Sequence, residues 1–387
     1  MRIALLTTDN REHHRKYELP APYFGPAIEA LLQGLGEIAE LEVHVIACAQ
    51  QPMSAPEKLA PNIWFHLLHV PKIGWLRTGY QGCVRAVRKK VRELGPDLVH
   101  GQGTERECAL AAVYSGFPNV LTLLGNMREV ARKMKARPGG YLWCAARLES
   151  LALQRTGGVL CNSLHTETLV RPLARRTWRV ANAIRREFLA PLPLEQEISP
   201  SPRLLNIGAV VPYKRQNELL EIANRLHESG HRFELLFIGD ANAQTAYAAR
   251  FRDAIRDATA SGFSRHVEAR TPPELTDLMD RSSALVHLSF EESFGLVVAE
   301  ALARNLKVFA TAAGGVNDIA IGADGAELFA PGHDANLEAA LSHWLHVGCP
   351  RPQLAAAEMR TRYAPEVIAE QHLRVYRDFL GEIAQPL

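Results

Sequence analysis

Short apolar runs of strand length alternate along this chain with stretches whose apolar positions recur every three or four residues. That alternation predicts an α/β protein with parallel sheets, because a helix must return the chain to the start of each next strand. In the first half the runs predict strands at 2–8, 41–47, 63–70, 98–101, 120–124, 158–161 and 178–181. Helices are expected between them at 26–35, 81–94, 105–114 and 141–154. In the second half strands are expected at 204–208, 234–239, 266–269, 284–288, 307–310 and 327–329. The helices there fall near 215–228, 244–260, 273–281, 294–303 and 337–345, and a last one covers about 365–383.

Each half therefore reads as a doubly wound sheet of its own. Between them lies Pro191-Leu192-Pro193-Leu194-Glu195-Gln196-Glu197-Ile198-Ser199-Pro200-Ser201-Pro202. Prolines this dense stop regular structure and stiffen the connection. The expected domains are 1–190 and 203–364, with the 365–387 tail packed on the second or crossing back to the first. Open α/β sheets bind ligands outside the carboxyl ends of their strands. With two such sheets, the expected site is the cleft between the domains.

Composition narrows the class. A chain of 387 residues is too long for one ordinary core. Apolar residues make up 47% and charged residues 22%, as in packed globular proteins. No apolar run approaches the ~20 residues of a membrane-spanning helix. The opening Met1-Arg2-Ile3-Ala4-Leu5-Leu6 breaks at once into Thr7-Thr8-Asp9-Asn10, so it reads as a first strand and not a signal peptide. Cys48, Cys83, Cys108, Cys144, Cys161 and Cys349 are scattered without a Cys-x-x-Cys pair, which fits reduced thiols and a cytoplasmic location. Residues 1–180 hold 24 Lys/Arg against 15 Asp/Glu, whereas 181–387 hold 20 against 27. The basic half is expected to meet something anionic.

The stretch Phe290-Glu291-Glu292-Ser293-Phe294-Gly295-Leu296 joins a predicted strand to a predicted helix. Free amides at a helix start form an anion site, and Gly295 admits close approach of a phosphate. On a continuous helix Glu300 would lie about 12 Å along the axis from Glu292. A carboxylate accepts hydrogen bonds through both oxygens and so suits vicinal hydroxyls. An extended ligand with hydroxyls at both ends and anionic charge between them fits this spacing, and a nucleotide sugar has that form.

Glu292-x7-Glu300, with Phe294-Gly295 inside it, resembles the nucleotide-sugar motif of the family 4 retaining glycosyltransferases of the GT-B fold. Further segments agree in order. Asn206 to Arg215 is similar to the Gly-Arg-x-x-x-x-Lys segment that opens the second domain. Thr311 to Ile319 resembles the Gly-Gly-x-x-Glu/Asp turn, Val180 to Ile184 the interdomain segment, and Pro96 to His100 a core strand of the first sheet. The likeness implies an α/β GT-B architecture, two Rossmann-like domains facing a cleft, and no metal or other cofactor. It implies that Lys214, with Gly208 before it, neutralises the leaving diphosphate, assisted by amides of Phe294, Gly295 and Leu296. Gly25 then matches the first-domain glycine turn near the phosphates, Glu300 the ribose contact and Glu292 the sugar contact. The base would be held near Arg270.

Two positions depart from the family pattern. Ala209 stands where the family has Arg, and Leu124 where it has the sugar-binding His. Each change removes polar or charged contact worth ~1.5–3 kcal/mol. Arg215 is the candidate replacement for the cation and Asn126 for the sugar contact. The expected partners are a nucleotide-sugar donor, with UDP favoured, and a hydroxyl acceptor that is a glycan, a lipid-linked compound or a small molecule. The alternative is a silent relative that binds nucleotide sugars without transfer. The basic segments 128–137 and 85–92, with Arg77, suggest peripheral contact with an anionic membrane, at its inner face for a cytoplasmic protein, or steering of an anionic acceptor; the alternative is a plain solvated face. His13-His14-Arg15-Lys16 is expected in a surface loop. No nucleic-acid motif is present, and neither half opens with the Gly-x-Gly-x-x-Gly turn of a dinucleotide dehydrogenase.

Overall fold

The computed structural model describes residues 1–192 and 201–383. Most of the proline-rich connector, residues 193–200, lies outside the described residues, as do 384–387. The chain divides into two compact units. The first is Met1–Ala183 together with the segment from Pro365, and the second is Ile184–Ala364.

The chain thus changes unit at Ala183, seven residues before the end expected for the first domain. Contacts in the second unit explain this. The Ile184 amide donates to the Tyr363 carbonyl at 2.8 Å. Phe188 is fully buried, and the buried Arg304 guanidinium donates to the Ala190 carbonyl while pairing with Asp280 at 2.7 Å.

The first unit holds β1 (Arg2–Leu6), β2 (Glu42–Ala49), β3 (Lys58–Ala60), β4 (Ile63–His69), β5 (Leu98–Gln102), β6 (Asn119–Leu123), β7 (Gly158–Cys161) and β8 (Thr177–Arg179). They form one sheet in the order β3-β4-β2-β1-β5-β6-β7-β8. All neighbours are parallel except β3, which pairs antiparallel with β4. The central strands read as unbroken apolar runs because helices cover both faces of a parallel sheet. The edge strand β3 was not expected, since three half-exposed residues carry no apolar run.

The second unit holds β9 (Arg203–Ile207), β10 (Glu234–Ile238), β11 (Ser264–Val267), β12 (Ala284–His287), β13 (Lys307–Thr311) and β14 (Ala326–Phe329). These pair in parallel in the order β11-β10-β9-β12-β13-β14. The order reverses between β9 and β12, and in the first unit between β1 and β5. Crevices at such reversals are where open sheets bind ligands.

Short helices account for most differences from expectation. Asn10–His14, Met127–Lys133, Leu164–Val170, Val316–Ala320 and Ala355–Tyr363 are too brief to show a clear period. The expected 13–16 loop is therefore helical through His14, after which Arg15 turns the chain in the left-handed region. The last helix, Pro365–Ile383, packs on helix Pro26–Leu35 of the first unit. A methyl on Gly34 would fall 2.1 Å from the Pro365 carbonyl oxygen, so the helices touch backbone to backbone there. Among the described residues no helix is long and apolar enough to cross a membrane.

Candidate functional site

The carboxyl ends of β9 and β12 lie side by side at the reversal of the second sheet. After β9, Gly208 leaves room for the Lys214 side chain, whose Cδ would come within 3.1 Å of any methyl there. Pro212–Lys214 forms one 3-10 turn. Its Tyr213 carbonyl accepts the Phe290 amide at 2.9 Å, which ties the loop after β9 to the loop after β12.

Lys214 Nζ donates to Glu292 Oε2 at 3.2 Å, and His287 Nε2 at the end of β12 donates to the same oxygen at 3.2 Å. Burial pushes the Glu292 carboxyl up, but Lys214 and His287 outweigh it and hold the pKa at about 2. For Lys214, burial acts downward and Glu292 upward, with the net shift upward. Both groups are therefore charged at neutral pH.

The helix after this loop is Leu296–Ala303, with Gly295 at its N-cap in the left-handed region at φ 98°. It starts two residues later than expected, because Gly295 breaks the helical path. Glu292 thus lies on a loop, and the axial spacing drawn for a continuous helix does not apply. The Gly315 amide donates to the Glu292 carbonyl at 2.8 Å. A methyl on Gly315 would fall 2.3 Å from the Ser293 carbonyl oxygen. The Gly314-Gly315 turn therefore braces the Glu292–Gly295 turn by close backbone approach. The Leu296 and Val297 amides precede the first intrahelical bond, which Val298 makes to the Gly295 carbonyl. Among the described residues neither amide has an acceptor, as expected for the first turn of a helix. The Phe294 side chain is buried and packs edge-on against Tyr363.

Glu300 is buried on the same helix and pairs with Arg185. Arg185 Nη2 and Nε donate to Glu300 Oε1 at 3.0 and 3.3 Å. Arg215 makes a two-pronged pair with Asp334 at 3.0 and 2.7 Å. Arg270 is exposed in the loop after β11, beside the Thr271 start of helix Pro272–Asp280.

Gly25 and Asn126 belong to the first unit. Gly25 caps helix Pro26–Leu35 at φ −72°, and the nearest atom to an added methyl would be 3.9 Å away. Asn126 is buried at the start of helix Met127–Lys133. There the Glu149 carboxylate accepts the Met127 and Arg128 amides at 3.2 and 3.0 Å. Next to it, Glu105 sits between Gly103 and Gly125. Methyls on those glycines would fall 2.3 and 2.7 Å from its two carboxylate oxygens. Burial and the neighbouring Glu149 push the Glu105 carboxyl up to about 7 against the downward pull of nearby amides. Of the basic segment 128–137, Arg132 and Lys133 are paired with Glu129.

The structure thus gathers Gly208, Lys214, Glu292, Phe294, Gly295 and Leu296 at one reversal, with Glu300 on the same helix. Sequence reasoning missed His287, Arg185 and Glu105. A histidine ending the apolar run Ala284-Leu285-Val286 was a readable sign. Arg185 follows directly on the Val180–Ile184 segment, but its pairing with a residue 115 positions away left no local trace.

Two doubly wound parallel sheets in one chain, the second with an ion pair and a helix start at its switch point, define the GT-B class of fold. The relatives agree. Residues 195–363 match the model of the family described as glycosyl transferases group 1. Sucrose-phosphate synthase of Thermosynechococcus elongatus superposes with a TM-score of 0.77 at 18% identity, covering 99% of this chain and 100% of that one. HepE of Anabaena, solved with UDP-glucose, gives 0.72 at 17% identity over 98% of this chain and 100% of that one. A glycosyltransferase of Rickettsia africae gives 0.66 at 13% identity over 98% of each. No curated protein matches the sequence.

Proposed function

We propose that this chain is a retaining glycosyltransferase of the family 4 type. It moves a sugar from a nucleotide diphosphate donor, UDP-linked by preference, to a hydroxyl acceptor. The observation that carries this reading is the Lys214–Glu292 pair beside the Leu296 and Val297 amides at the switch point of the second sheet. HepE, of the same fold, was solved with UDP-glucose, which supports UDP as the first donor to try.

In this scheme the diphosphate lies against Lys214 and the two amides. As the bond between anomeric carbon and phosphate oxygen breaks, negative charge grows on that oxygen. A fixed ammonium and fixed N–H dipoles stabilise it most at that moment. Glu292, kept ionised by Lys214 and His287, accepts hydrogen bonds from the sugar hydroxyls. Glu300, oriented by Arg185, accepts from the ribose, since a carboxylate accepts through both of its oxygens. The acceptor attacks on the leaving-group face, and the departing phosphate takes its proton.

A second reading, nucleotide-sugar binding without transfer, draws on Ala209, Leu124 and the commitment of Arg215 to Asp334. Turnover separates the two. Glu300→Ala should weaken UDP binding by roughly tenfold or more, and Glu292→Ala should mainly lower transfer or donor hydrolysis. Calorimetric titration with UDP and UDP-sugars, with product anomers read by NMR, tests both. Unchanged UDP binding in both variants would overturn the site, and UDP binding without turnover of any donor would favour the second reading.

A further inference from the structure

The carboxyl edge of the first sheet holds a cavity of about 1090 Å³. Its walls come from the chain just after β1, β2, β4 and β5, so it occupies the ligand-binding edge of a doubly wound sheet. Its charge is one-sided. Arg15, Lys72 and Arg106 line it together with His13 and His69, against a single carboxylate, Glu12.

Glu12 is tethered in the same wall, where its Oε2 accepts the Gln50 amide at 3.0 Å, and three cations outnumber it. Arg106 is fixed in the wall, 3.4 Å from the buried Glu107 carboxylate and over the Trp75 ring at 4.8 Å. Arg15 and Lys72 make no ion pair or side-chain hydrogen bond among the described residues. Arg15 also holds the left-handed region at φ 55°, as does Tyr80 at φ 61°. A bulky residue in that region is strained, and such strain collects at ligand sites. Tyr80 is 3% exposed and lines the cavity, yet its hydroxyl has no hydrogen-bond partner among the described residues. The hydroxyl opens onto the cavity, where a ligand or water can bond it.

We propose that this cavity binds an anionic polyol, a hydroxyl compound carrying a phosphate or a carboxylate. The anionic group sits between Arg15 and Lys72, and a hydroxyl bonds Tyr80. Its role as the glycosyl acceptor rests on the transfer reading above; the binding itself does not. Beside a neutral sugar the exposed Arg15 and Lys72 keep only water, whereas an anion gains charge-assisted hydrogen bonds from both.

The test is calorimetry on the full chain at low salt with a hexose 6-phosphate, a hexuronate, the neutral hexose and inorganic phosphate. The hexose phosphate or the hexuronate should bind roughly tenfold tighter than the neutral hexose, and the tighter of the two names the anionic group. The double variant Arg15→Gln/Lys72→Gln should bring that ligand within about twofold of the neutral hexose. Tyr80→Phe, which keeps the ring packing, should weaken the polyols several-fold and leave inorganic phosphate unchanged. Equal binding of neutral and anionic hexoses, or no response to the double variant, overturns the proposal. UDP is titrated in parallel. UDP binding without anion selectivity defeats this inference alone, and anion selectivity without UDP binding defeats the donor reading alone.

Discussion

At the scale of single residues, burial and pairing decide which carboxylates are charged. Glu292 is partly buried but faces an ammonium and an imidazole N–H, so its pKa falls to about 2. Glu105 is surrounded by backbone amides, and among the described residues no cation offsets its burial, so its carboxyl rises to about 7. Opposite consequences for stability follow. A carboxyl with a raised folded pKa contributes most below its unfolded value near 4.5, and that contribution is lost as pH rises through 7. Glu105→Gln keeps the acceptor oxygen for the amides and removes the titration. Relative to the parent chain, the variant should gain stability as pH rises from 4.5 to 8, by an amount on the order of 1–3 kcal/mol. Denaturant melts at closely spaced pH values read this out. A parent–variant difference that stays flat across this window would show that Glu105 does not titrate there.

At the scale of elements, two glycines that look alike in sequence have different reasons to be glycine. Gly315 has an ordinary φ of −69°, but its missing side chain lets its turn approach the Ser293 carbonyl. Gly315→Ala should cost about 1–3 kcal/mol by overpacking, and should disturb Glu292 through the turn it braces. Gly25 has neither a crowded neighbour nor a left-handed φ. Gly25→Ala should therefore leave the melting temperature within about a degree, since a glycine-to-alanine change at an unstrained cap is nearly neutral. If Gly25 meets the donor diphosphate, the same change should weaken UDP binding several-fold. A melt and a UDP titration on each variant settle the contrast, and a large loss of stability in Gly25→Ala would show a structural role instead. Much of this level was legible in the sequence. Helices 26–35 and 81–94 and strand 158–161 have the expected limits, because apolar period, Pro26 and Gly95 mark them. The short helices and β3 were not legible, because three to nine residues carry too little periodicity. At the site, Lys214, Glu292 and Gly295 announced themselves by spacing, whereas Arg185 and His287 reach their partners only through the folded sheet.

At the scale of the whole molecule, the chain visits the second unit and then returns, so its last helix belongs to the unit that its first strand began. The return is secured by apolar packing and a buried polar chain. Ile368, Leu373, Tyr376 and Phe379 are all buried. His100 bonds Tyr376 at 2.7 Å and Thr122 at 2.8 Å, linking the last helix to β5 and β6. His372 Nδ1 donates to the Ile368 carbonyl at 2.9 Å, and burial lowers its pKa to about 4. Each large apolar side chain contributes about 1.5–3 kcal/mol by burial, so four of them rival the ~5–15 kcal/mol stability of a typical domain. A chain ending at Ala364 should therefore lose the first unit preferentially. Hydrogen exchange read by mass spectrometry should show protection collapsing in helix 26–35 and in β5 and β6, while β9 to β14 keep theirs. His372→Gln makes a gentler probe. Neutral buried histidine with a depressed pKa supports the fold fully above its unfolded value near 6.5 and progressively less as pH falls toward 4. The parent should accordingly lose protection in helix 365–383 between pH 6.5 and 4, and the variant should lose less over that interval. Equal loss of protection in both units after truncation would mean that the last helix stabilises the chain as one cooperative body, contrary to its packing.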